Sequence, residues 1–70
     1  MKTTRINTGI YKIENQGKVF QCESVQGGQW MMLLFVESNL DGIDGKYEYC
    51  NHYLTLSDCK YIIDNHISEF

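Results

Sequence analysis

The sequence predicts an α+β domain: a three- to four-stranded antiparallel β-meander packed on one C-terminal α-helix, in the order β-β-β-β-α. Three observations predict it. Runs of β-forming residues recur between glycine-bearing turns over residues 9–53. The apolar spacing then changes from period two to spacings of three and four after Thr55. The connections between the runs are short, as hairpins require.

The first run, Gly9-Ile10-Tyr11-Lys12-Ile13-Glu14, ends at Asn15-Gln16-Gly17. The second, Lys18 to Val25, carries Val19, Phe20, Cys22 and Val25 and ends at Gln26-Gly27-Gly28-Gln29. Two such runs joined by a short glycine-containing turn predict a β-hairpin. The third, Trp30 to Glu37, is the most apolar stretch. Between Gly27-Gly28 and the loop Ser38 to Gly45, its length suits a strand better than a helix. In the fourth, Tyr47-Glu48-Tyr49-Cys50-Asn51-His52-Tyr53, aromatic or thiol residues alternate with polar ones.

The helix is announced by its start and its stripe. Thr55 can cap it, with Asp58 in the capping-box position, a weaker partner there than glutamate. Leu56, Cys59, Ile63, Ile67 and Phe70 then form one apolar stripe, from which Lys60, Asp64, Asn65 and Ser68 fall away.

Seventy residues hold one domain with one core. A chain of this size buries only about 60% of the surface its unfolded form exposes, so a staple or a partner would add much to its stability. Three cysteines, Cys22, Cys50 and Cys59, are too few and odd in number for a secreted disulfide framework. The basic N-terminus has no apolar run behind it, and the longest such run, Trp30 to Val36, falls far short of the roughly 20 residues of a membrane span. A cytoplasmic protein with free thiols is expected. The net charge of −3 is mild and its six Lys and Arg residues are scattered. Nucleic-acid binders show a basic face and DNA mimics a dense acidic stripe.

The third strand carries the most informative pattern. One side presents Trp30, Met32, Leu34 and Val36, and the other Met31, Leu33 and Phe35. A sheet with one helix and one wet face should alternate apolar with polar. Either the sheet curls and its own chain covers the second face, or a second copy or another protein does. Docking is the expectation adopted, with Trp30, Met32, Leu34, Tyr47, Tyr49 and Tyr53 as partner-binding residues. Tyrosine and tryptophan suit such a surface because they bury large area yet keep a polar tip.

Other chemistries find less support. Cys50, His52, Cys59 and His66 have the donor types of a tetrahedral zinc site, but not its usual short ligand spacing, and no metal or cofactor is expected. Asn39, Asp41 and Asp44 look like part of a calcium loop, yet Ile43 stands where an oxygen ligand belongs and no closing glutamate follows. No nucleophile elbow or oxyanion loop surrounds Cys50 and His52, and Gly27-Gly28 lacks the helix start of a phosphate cradle. Catalysis is therefore not expected. The alternatives are a small nucleic-acid-associated regulator using Lys2, Arg5, Lys12 and Lys18, and a zinc-stabilised domain.

The series Gly9-Ile10-Tyr11, Gly17-Lys18-Val19-Phe20, Trp30 and Leu54-Thr55-Leu56-Ser57-Asp58-Cys59-Lys60-Tyr61-Ile62-Ile63 resembles small phage-encoded accessory proteins. These run as a β-meander with one tryptophan, followed by a helix opened by a Thr or Ser cap. The resemblance covers most of the chain and lies in element order. It implies stoichiometric inhibition of a host enzyme or of a bacterial defence system, with a bacterial host protein as partner, and assigns no particular residue. Cys59 stands where such helices often have alanine, which points to a tight helix–sheet contact.

Overall fold

The computed structural model describes residues 1–36 and 46–70. Five strands, β1 (Lys2–Asn7), β2 (Ile10–Asn15), β3 (Lys18–Val25), β4 (Gln29–Val36) and β5 (Lys46–Tyr53), form one antiparallel sheet in chain order. A single helix, α1 (Leu56–Asn65), and a 3-10 turn, Ile67–Glu69, follow. The meander and its C-terminal helix are as the sequence predicts, with one strand more. That strand is β1, whose sequence KTTRIN has no apolar alternation, and all six of its residues are exposed. It survives as an edge strand on backbone pairing and β-branched residues. A register shift between Arg5 and Asn7 and the charges of Lys2 and Arg5 blunt its free edge.

The hairpins follow from their turn residues. Asn15 pairs with Lys18, so Gln16 and Gly17 alone turn the chain. Both have positive φ, 49° and 79°, the combination of a I′ turn whose twist matches the flanking strands. Gly9 has φ 74°, its carbonyl accepts from the Ser24 amide at 2.8 Å, and a Cβ placed there would meet Ser24 Cβ at 3.3 Å. Conformation and space thus both favour glycine there.

Thr55 caps α1, its Oγ1 accepting from the Asp58 amide at 3.1 Å. The helix stops at His66, and the 3-10 turn brings Ile67 and Phe70 back onto the sheet. The stripe Leu56, Cys59, Ile63, Ile67 and Phe70 therefore faces the core although the α-helix covers only part of it. Phe70 meets Phe20 edge-on with ring centroids 5.2 Å apart. Two side chains from the β2–β3 hairpin hold this segment: Asn15 Nδ2 donates to the Ile63 carbonyl at 3.0 Å, and Lys18 Nζ donates to the Phe70 carbonyl oxygen.

Among the described residues, Ile13, Phe20, Cys22, Met32, Cys59 and Ile63 are fully buried and form the core. They lie between the sheet and α1. The cross-strand pairs Ile13–Phe20 and Cys22–Met32 fix which side of each strand faces the helix. No helix among the described residues is long and apolar enough to cross a membrane.

Candidate functional site

The strand register sorts every strand residue onto one of two faces, because paired residues share a side. Met31 pairs with Glu23 and His52, Leu33 with Gln21 and Tyr49, and Phe35 with Tyr47. These residues lie on the face away from α1. Towards β2 the same face turns polar, with Lys12 opposite Gln21 and Ile10 opposite Glu23. Lys12 Nζ stands 3.9 Å from Glu14 Oε1, an exposed pair worth little to stability. The open face is thus apolar and aromatic over β4–β5 and charged over β2–β3.

On the apolar half, Met31 and Leu33 are half-buried by their neighbours, whereas Phe35, Tyr47 and Tyr49 are 36%, 38% and 57% exposed. Phe35 and Tyr47 pack edge-on at 5.2 Å, so the two rings form one surface. Tyr49 and His52 join them through a 2.7 Å hydrogen bond between the phenol oxygen and Nδ1. Two residues so spaced reach the same side because the β4–β5 register shifts between Met32 and Leu33. Asn51 opposes Met32 and Tyr49 opposes Leu33, leaving Cys50 as the extra residue of a bulge.

Of the residues expected to bind a partner, only Tyr47 and Tyr49 lie on this open face. Met32 is fully buried under the helix, and its expected role as a surface contact is corrected accordingly. Trp30, Leu34 and Tyr53 are half-buried against the same core. Trp30 also packs on Tyr11, with ring centroids 5.9 Å apart. The division of β4 into two apolar sides was legible, but the helix covers the side that was expected to stay free. Met31, Leu33 and Phe35 are the exposed alternates.

The zinc quartet does not assemble. Among the described residues, no group of three or more His, Cys, Asp or Glu side chains is placed to hold a metal. The bulge sends Cys50 to the core side and His52 to the open face, against the expectation that two residues so spaced on a strand face one way. Cys59 is buried in the first turn of α1, while His66 caps the far end, with Nδ1 3.2 Å from Glu69 Oε2 and its ring 5.9 Å from Tyr61. The basic quartet is likewise split. Lys2 and Lys12 share the open face, whereas Arg5, opposite Tyr11, and Lys18, opposite Asn15, belong to the helix side. Asn39, Asp41 and Asp44 lie outside the described residues.

The thiols have a common setting. All three cysteines are free, Cys22 and Cys59 buried and Cys50 half-buried at the core margin. A hydrogen bond to Cys59, reinforced by burial, holds the Cys22 proton well above the usual thiol range. Burial also pushes the Cys50 thiol up. An open groove of about 460 Å³ lies at the far corner of the sheet, beside the β2–β3 turn, lined by residues that include Met1, Lys2, Glu14, Gly17 and Val19. Comparison with family models, with curated proteins and with solved structures finds no match to this chain.

Proposed function

We propose that this domain is a non-enzymatic protein-binding module whose docking surface is the β4–β5 half of the open face. One observation carries the reading: Met31, Leu33, Phe35, Tyr47 and Tyr49 stand together on a face that no element among the described residues covers. The rings supply large contact area at low cost in side-chain freedom, and Tyr49 keeps a polar tip fixed by His52. The Lys12–Glu14 pair and Glu23 would form a polar rim on one flank. The occupant we adopt is an apolar patch on another protein. Following the resemblance to phage accessory proteins, that protein is a bacterial host enzyme or defence component, bound stoichiometrically in the cytoplasm.

The experiment compares the native protein as bait with Phe35→Asp and Tyr49→Ala, using Tyr61→Ser as a control. Tyr61 is 60% exposed on the helix, away from the proposed surface. The partner should be captured by the native and Tyr61→Ser proteins and lost with both open-face variants, each shown to be folded by circular dichroism. Equal capture by all four proteins would refute the docking surface. Sedimentation equilibrium decides the competing occupant, a second copy of this chain: a dimer that Phe35→Asp converts to monomer would replace the host protein with self-association.

A further inference from the structure

Two sulfhydryl groups meet where the helix crosses the middle of the sheet. Cys22 lies within β3 and Cys59 in the first turn of α1, and both are fully buried in one cluster with Ile13, Phe20, Met32 and Ile63. Their side chains hydrogen bond to each other across the helix–sheet seam. Two small side chains opposite one another let a helix approach a strand closely, and both are free thiols. The third thiol is differently placed. Cys50 stands in the bulge of β5, beyond β4 from Cys22, with its Sγ 3.8 Å from the carbonyl oxygen of Glu48 on its own strand.

We propose that Cys22 and Cys59 form a redox modification site, oxidised by a low-molecular-weight disulfide such as oxidised glutathione to an intramolecular bridge that ties α1 to β3. In the first step the Cys59 thiolate attacks one sulfur of the reagent and breaks its S–S bond. One glutathione leaves as a thiolate and takes up a proton, and Cys59 is left in a mixed disulfide. Cys22 then gives up its proton to solvent and attacks the Cys59 sulfur. The Cys22–Cys59 bond forms, and the second glutathione leaves and is protonated. The protein loses two hydrogens and the reagent becomes two thiols. A tripeptide disulfide cannot enter a sealed core, so the first attack requires α1 to lift from the sheet, and the rate follows that local opening.

The consequence is large for so small a domain. The bridge joins residues distant in the chain and restricts the unfolded ensemble, which stabilises the fold most when the closed loop is long. Cys50–Cys59 is the pairing that chain statistics would favour, since its loop is much shorter. Which bridge forms therefore reports whether the folded arrangement directs the chemistry.

The test incubates the protein in native buffer with excess oxidised glutathione, quenches with acid, alkylates remaining thiols in denaturant and maps linked peptides by mass spectrometry. The expected result is one alkylated thiol, at Cys50, and a Cys22–Cys59 linkage exceeding Cys50–Cys59 by about tenfold or more, a ratio lost in concentrated urea. The melting temperature should rise by roughly 10 °C and return on addition of dithiothreitol. A Cys50→Ser variant, which leaves the core pair untouched, should oxidise fully and show the same rise. Three alkylated thiols, a persistent glutathione adduct, or a dominant Cys50 bridge in native buffer would each overturn the proposal, as would a Cys50→Ser protein that stays reduced.

Discussion

The two sides of β4 are almost equally apolar in sequence and opposite in fate. Met32 is fully buried against Cys22 and the helix, while Met31, one residue earlier, lies on the uncovered face opposite Glu23 and His52. Hydrophobicity alone does not decide which side of a strand is core. The neighbours decide, because a helix stripe settles where several strands offer apolar side chains together. Ile13, Phe20, Cys22 and Met32 make such a continuous field across three strands. On the reverse side the apolar field stops at β4, since Gln21 and Glu23 occupy β3.

The largest effect expected from this contrast comes from its centre. Phe20→Ala removes a fully buried ring that packs on Phe70 and should cost about 3–5 kcal/mol in a urea melt, enough to unfold much of a marginal domain. Met32→Ala and Met31→Ala form the sharper pair. The first should cost roughly 2–5 kcal/mol and the second under about 1 kcal/mol. Equal losses would mean that the open face is packed as tightly as the core.

Much of this was legible in the residues. The turns at Gln16-Gly17 and Gly27-Gly28, the Thr55 cap and the stripe from Leu56 to Phe70 are local signals, and each led to the right element. The covered side of β4 was legible too, by a further step. The apolar side of β3 is Phe20 and Cys22, and a three-residue turn pairing Val25 with Gln29 places Met32 beside Cys22. Two features were not legible. The edge strand β1 is polar throughout and forms by pairing, so its sequence carries no amphipathic pattern. The bulge at Cys50 breaks the period-two rule silently, because no glycine or proline marks it.

Smaller effects probe the helix that makes the difference between the faces. Thr55→Ala removes the acceptor for the Asp58 amide and should cost about 1 kcal/mol, read as a lower urea midpoint with an unchanged slope. The pH profile should be shallower still. Cys22 and Cys50 hold their protons more tightly folded than unfolded, so above the ordinary thiol range the unfolded chain ionises first. Stability should therefore be flat near neutrality and fall as pH rises through about 8.5. Urea midpoints measured between neutral and alkaline pH check the sign, and a rise in the alkaline range would contradict it.

The extra residue at Cys50 makes β5 two short strands of opposite parity rather than one of eight residues. Its first half sends Tyr47 and Tyr49 outward, and its second half sends His52 outward and Tyr53 inward. A single-residue deletion at that point would restore strict alternation and turn over everything on one side of it. The sheet would keep its hydrogen bonds but exchange an outward imidazole for an inward one. Length in this strand is thus as much a determinant of surface chemistry as the identity of any side chain it carries.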